Sequence, residues 1–303
     1  MSLRRWNSFA PVAVVLALLF SAPAKGQQSG HYLEAATGLM NGSLPPAGYY
    51  LGFIPFVYYV DSIKGPSGGS IPANLTMSAP IAMVSGVTKT KFLGADYGFA
   101  ILVPIMNQRI TTNVVPSRSF SGGYGVSDLF FTPVELGWHK PKADFLASYT
   151  LAAPTGDFSS DQVFNSGLGM WSHMFQLGTT YYPEKTKKWN ASILSTWEIC
   201  TTKTATNVRP GSQMALEYGV GRRMLRYALN VGVAGSYYRK LTLDTGTAIA
   251  FHDQENSIGP EVSLTLPEAH LSFDVRYEPQ FDVRGRTSGQ FLAISLTYLN
   301  IEH

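Results

Sequence analysis

The sequence predicts an all-β chain, an antiparallel transmembrane β-barrel of about twelve strands that follows a cleaved signal peptide. Three observations carry this. The chain begins with a secretory signal, its apolar residues then recur with period two, and the connections between periodic segments alternate short and long.

Arg4 and Arg5 supply a positive n-region, Pro11 to Phe20 an apolar core, and Ala22-Pro23-Ala24 a small-x-small peptidase site. The ten apolar residues fall short of the ~20 that a membrane helix needs. Residues 1–24 therefore read as the signal peptide, 25–48 as a periplasmic N-terminal segment and 49–303 as the barrel. No Cys follows the apolar core, which argues against a lipoprotein.

Composition narrows the class. Charged residues are 14% of the chain, against about 25% in ordinary soluble domains. Aromatics reach 13%, yet mean hydropathy is only +0.02. After residue 24 there is no run of 18 apolar residues, so a helical membrane protein is excluded. The net charge of +3 falls to +1 once Arg4 and Arg5 are removed, leaving no basic excess for nucleic acid. The lone Cys200 rules out an internal disulfide and a Cys-rich metal site.

Period-two alternation is clearest near the C-terminus. Leu271, Phe273, Val275 and Tyr277 alternate with Ser272, Asp274, Arg276 and Glu278. Leu292, Ile294, Leu296 and Tyr298 alternate with Ala293, Ser295 and Thr297. In a strand this gives one apolar and one polar face. Read throughout, the pattern yields twelve segments, near 49–60, 76–89, 95–106, 126–138, 142–153, 169–182, 189–200, 212–222, 226–239, 256–266, 269–278 and 289–299. Each approaches the ~9–11 residues of a tilted membrane strand.

The connections at 90–94, 139–141, 183–188, 222–225 and 267–268 are short. Those at 61–75, 107–125, 154–168, 201–211, 240–255 and 279–288 are long. Short periplasmic turns, long outer loops and an even strand number are the pattern of outer-membrane barrels. Tyr49, Tyr50, Tyr58, Tyr59, Trp138, Trp171, Tyr181, Tyr182, Trp189 and Trp197 lie near segment ends, where aromatic girdles form. Pro104 and Pro133 interrupt segments and mark bulges or kinks.

Charges on the polar face cannot cheaply meet lipid, since a midplane Arg or Lys costs ~2–4 kcal/mol. Glu198, Glu217, Arg239, Glu261, Asp274, Arg276 and Glu278 are accordingly the candidates for lining the lumen. Arg276 with Asp274, Glu261 or Glu278 forms the expected salt-bridge set. These residues could border an open passage or knit a closed plug. Catalytic chemistry has less support. With His139 and His270 placed at turns, His173 is the only barrel candidate among the histidines, and no Gly-x-Ser-x-Gly elbow occurs. No His-x-x-x-His or Cys pair suggests a metal, and no cofactor is implied.

Several stretches resemble the phenol meta-pathway degradation family of outer-membrane proteins. They are Gly125-Val126-Ser127-Asp128-Leu129-Phe130-Phe131-Thr132-Pro133 with Leu136-Gly137-Trp138-His139, Ala153-Pro154-Thr155-Gly156-Asp157-Phe158, and Arg209-Pro210-Gly211-Ser212 with Glu217-Tyr218. Gly232 to Lys240, Ile258-Gly259-Pro260-Glu261, and Tyr277-Glu278-Pro279 followed by Arg284, Arg286 and Gly289 complete the set. Cys200-Thr201-Thr202 departs from the Asn common there in the family. The resemblance implies a non-enzymatic, transporter-like barrel of the bacterial outer membrane that assists uptake of small, aromatic or hydrophobic compounds. Its partners would be the lipid bilayer, such solutes and the barrel-assembly machinery. The alternatives are a lipid-modifying hydrolase built on His173 and a closed structural barrel.

Overall fold

A strand with one apolar and one polar face can meet lipid on one side and a polar interior on the other. The computed structural model describes residues 29–111, 119–162, 164–204 and 206–301, and in it twelve such strands form one ring. The signal peptide at 1–24 lies outside the described residues.

Three strands are broken into segments. β1 comprises Gly48–Ile54 and Phe56–Lys64, β2 comprises Ser70–Ser78 and Ile81–Phe92, and β4 comprises Ser119–Ser121, Gly125–Val126 and Leu129–His139. The others are β3 (Ala95–Thr111), β5 (Ala143–Ala153), β6 (Ser172–Tyr181), β7 (Trp189–Cys200), β8 (Gln213–Met224), β9 (Leu229–Lys240), β10 (Gln254–Leu266), β11 (Leu271–Arg284) and β12 (Thr287–Ile301). Each pairs antiparallel with its neighbours in sequence. β1 closes the ring on β12, from Gly48↔Ile301 to Phe53↔Leu296 and again from Phe56↔Ala293 to Ile63↔Thr287. Closure satisfies backbone groups that lipid could not. Pro55 and Pro80, which lack an N–H, sit at the breaks in β1 and β2.

The strands outlast the apolar pattern that announced them. β1 and β2 pair as far as Lys64↔Ser70, and β11 runs to Arg284 before a turn at Gly285-Arg286. β3 extends to Thr111 and pairs with Ser119. The connections expected at 61–75 and 279–288, and the described residues of 107–125, are therefore largely ladder. Ladder hydrogen bonds need only backbone, so polar residues such as Ser62, Lys64, Gln280 and Arg284 carry the strands past the membrane. Stretches 154–171, 201–212 and 241–253 remain long connections at this end. The opposite end has tight turns. At one of them Leu93 (φ 52°) and Gly94 (φ 75°) both adopt the left-handed backbone that a two-residue hairpin requires.

The strand faces alternate as membrane crossing demands. On β7, Asn190, Ser192, Leu194, Thr196 and Glu198 are buried, while Trp189, Ile193, Trp197 and Ile199 are exposed. The girdle expected from paired tyrosines is halved for the same reason. Tyr49, Tyr59 and Tyr181 face outward, whereas Tyr50, Tyr58 and Tyr182 are buried within. Successive side chains on a strand cannot share a face.

One element departs from its expected place altogether. Residues 29–47, read as periplasmic, thread the lumen. Gly30 lies against Glu198 and Gln213 near the long-loop end, and Ser43 bonds Asp144 at the short-turn end. This segment forms no strand or helix of its own, and the barrel wall supplies partners for its backbone.

Candidate channel lumen

The threading segment is held by side chains from six strands and two loops. At the long-loop end, Glu198 of β7 accepts the N–H groups of His31 (2.7 Å) and Tyr32 (3.0 Å). The His31 ring bridges Asp128 Oδ2 (2.7 Å) and Ser172 Oγ (2.7 Å). Lower down, Glu217 of β8 accepts both the N–H (3.1 Å) and the hydroxyl (2.6 Å) of Thr37. Glu261 of β10 accepts the Leu39 N–H at 3.0 Å. Arg276 of β11 donates to the Ala35 carbonyl at 2.5 Å, to the Thr37 carbonyl, and through Nε to Glu261 at 2.7 Å. Arg286 pairs with Glu34 at 2.6 Å and Glu255 at 3.1 Å. Leu39 fits between Gly219, Gly221 and Gly232, where each Cβ added to the wall would come within about 3.1 Å of it.

Five of the seven sequence candidates thus meet in one network. Glu198, Glu217, Glu261, Arg276 and Glu278 are all buried on the inner face. Glu278 accepts the Ser257 hydroxyl at 2.5 Å and lies 3.8 Å from Arg276. Asp274 is half-buried opposite Ser263, and Arg276 pairs with Glu261 and Glu278 rather than with it. Arg239 is a correction. Ala234, Ser236, Tyr238 and Lys240 are the buried set of β9, so Arg239 points outward and is exposed near the long-loop rim. His173 also faces outward, in step with Trp171 and Phe175, and its ring nitrogen bonds the Tyr149 hydroxyl at 2.7 Å.

Sequence reasoning missed His31, Glu34, Asp128, Ser172 and Arg286. The Ser172–His31–Asp128 order is that of a hydrolase relay. Ser172, however, has no accessible surface and its Oγ lies 3.4 Å from Cys200 Sγ. No carbonyl carbon can reach that oxygen, so the three residues act as a clip on the segment. Asp128 lies between strand segments, and burial alone would push its carboxyl up. The His31 ring and the N–H groups of Leu168 and Gly156 outweigh burial and hold it below the ordinary 3.8. A lowered carboxylate stabilises the fold at all pH above its unfolded range, and that contribution disappears as pH falls through the folded value. Asp128→Asn is therefore expected to cost ~2 kcal/mol at neutral pH and to flatten the loss of stability below pH 3.8. Acid titration of the gel-shift unfolding midpoint checks this; parallel curves for the two proteins would refute it.

The two halves of the wall differ. Charged residues of β7, β8, β10 and β11 make most of the grip on the segment, whereas β1–β5, apart from Asp128, Glu135 and Asp144, present mainly apolar side chains to the lumen. Between the segment and that apolar wall lies a cavity of about 630 Å³. Tyr50, Phe56, Met83, Leu102, Phe130 and Leu146 are among its lining residues. Among the described residues, no cluster of His, Cys, Asp and Glu could hold a metal ion.

The fold is similar to that of an outer membrane channel from Pseudomonas putida F1, at 12% identity and a TM-score of 0.70, covering 86% of this chain and 98% of that one. Weaker similarity extends to the β domain of the autotransporter BrkA of Bordetella, at 11% identity and a TM-score of 0.46 over 84% of this chain and 100% of that one. The transport unit of the autotransporter AIDA-I from Escherichia coli matches at 8% identity and a TM-score of 0.46, over 99% of this chain and 100% of that one. No curated protein sequence matches. The family model described as MetA-pathway of phenol degradation matches residues 60–298, from the first strand to the last, and the chain belongs to that family.

Proposed function

We propose that the protein is an outer-membrane channel for small hydrophobic or aromatic compounds, exported by its N-terminal signal and inserted by the barrel-assembly machinery. The observation that carries this reading is the apolar cavity of about 630 Å³ inside a closed membrane barrel. A polar-walled porin would favour water and sugars. Here half the wall favours apolar surface, which gains about 25 cal/mol for each Å² removed from water. Family membership and the fold shared with an outer membrane channel support the same direction. Glu198, Glu217, Glu261, Arg276 and Glu278 serve in this reading to fix the segment that narrows the passage.

The segment favours a second reading, a closed structural barrel, because it is bonded to the wall along its whole length. Uptake by intact cells separates the two. Cells producing the protein should take up the apolar fluorophore N-phenyl-1-naphthylamine faster than cells lacking it, with little change for a small sugar. Equal uptake of the fluorophore in both strains, with the lipopolysaccharide layer intact, would leave the closed barrel as the answer.

A further inference from the structure

We propose that Glu135 is the polar anchor of a binding site in the lumen cavity. The site takes a small apolar molecule that carries one hydrogen-bond donor, a hydroxyl or an ammonium. This rests on the channel reading and specifies what the channel selects.

The strand is built to deliver this carboxylate inward. On the β5 side of β4, Phe131 pairs with Leu151 and Val134 with Tyr149, so three steps on β4 match two on β5. On the β3 side, Thr132 pairs with Ala100 and Glu135 with Gly98, again three steps against two. One extra residue is therefore bulged out around Pro133. Thr132 faces inward, its hydroxyl 2.7 Å from that of Thr150. In a regular strand a residue three positions on would face lipid. The bulge reverses the phase, and Glu135 joins the cavity lining. Across the ladder, Glu135 Oε2 reaches over Gly98 to within 3.4 Å of where a Cβ there would stand.

Its surroundings give the carboxyl no partner among the described residues. Glu135 and Glu217 are the two acidic side chains that line the cavity. Glu217 has its carboxylate taken up by Thr37. Glu135, among the described residues, receives no hydrogen bond and pairs with no cation, unlike the buried carboxylates Glu198, Glu261 and Glu278. A carboxylate held in apolar surroundings without a partner is costly, and a sequence that kept only stability would replace it. The cost is recovered when a solute brings the missing donor. The apolar wall accepts the solute's body, and the carboxyl oxygen accepts its hydroxyl or ammonium.

The test uses the full mature barrel in lipid nanodiscs and two probes, 4-ethylphenol and 4-ethylanisole, the second of which has the hydroxyl proton replaced by a methyl group. Binding is read by equilibrium dialysis against protein-free nanodiscs. The native barrel should bind the phenol about tenfold tighter than its methyl ether. Glu135→Leu should abolish that preference while leaving the ether's affinity within about twofold, since no donor is involved. Glu135→Gln, whose amide oxygen still accepts, should keep part of the preference, and it carries the test if the leucine variant does not fold. A preference that persists in Glu135→Leu, that is undiminished in Glu135→Gln, or that is absent although the native barrel binds both probes, overturns the anchor and leaves the channel reading standing. Failure of the native barrel to bind either probe overturns both.

Discussion

Replacing Arg276 with leucine is expected to destabilise the barrel by ~3–5 kcal/mol, more than the loss of the Asp128 carboxylate should cost. Among the described residues the guanidinium is the cation that serves Glu217, Glu261 and Glu278, and it donates to the carbonyls of Ala35 and Thr37 as well. Leucine removes the cation but leaves the threading segment in place, so water cannot enter freely to solvate what remains. Glu261 would stay buried without its ion pair, and two backbone carbonyls would lose their donors. Arg276→Lys should rescue only part of the loss, because one ammonium cannot serve Glu261 and two carbonyls in the fork geometry of arginine. The outward Arg239→Ala is the control, expected to change stability by less than ~0.5 kcal/mol. The temperature at which the folded gel band is lost reads all three. An Arg276→Leu midpoint equal to that of Arg239→Ala would refute the network's role.

The second expected result concerns the segment itself. Deleting residues 29–44 should convert the lumen from a narrow, half-apolar space into a water-filled bore. Proteoliposomes carrying the deletion should swell rapidly in small sugars, whereas the intact barrel should swell little. Twelve strands enclose a lumen wide enough for this once its contents are gone. The physical contrast with Arg276→Leu is informative. Deletion removes the partners of Glu198, Glu217 and Glu261 but admits water, which replaces each hydrogen bond at a net cost of only ~1 kcal/mol. The deleted barrel should therefore conduct far more than Arg276→Leu, in which the segment still fills the bore. A deletion variant that keeps the folded gel shift yet swells no faster than the intact protein would show that the segment does not close the bore.

The strand periodicity and the lumen candidates come from the same local rule, and they share its strength and its limit. Period two follows from the chirality and pleat of the extended chain alone, so Leu271, Phe273, Val275 and Tyr277 declare a lipid-facing side without knowledge of their neighbours. Applied residue by residue, the rule sets Glu198, Glu217 and Arg276 inside and splits each tyrosine pair. Reading Arg239 as a lumen residue goes against this rule, and the structure sets it outside, adjacent to the inward Tyr238 and Lys240. Where the backbone departs from the rule, the reading fails. The bulge around Pro133 turns Glu135 inward, and nothing in the local alternation says whether the extra residue is absorbed there or in a turn. Strand ends were hidden for a different reason. Beyond the apolar band the ladder persists on backbone hydrogen bonds, which leave no hydrophobic signature.

From sequence alone come the export signal as an expectation, twelve two-faced strands, their order and the alternation of tight and long ends. These depend on contacts between residues close in sequence. What fills the barrel is set by the closed fold. His31 meets Asp128 across 97 positions, Ser172 across 141 and Glu198 across 167. Such partners are chosen only when the ring closes and brings distant strands around a common axis. The lumen charges that periodicity placed on the inner face were thereby assigned their work, which is to bind the chain's own N-terminal segment and leave an apolar cavity beside it.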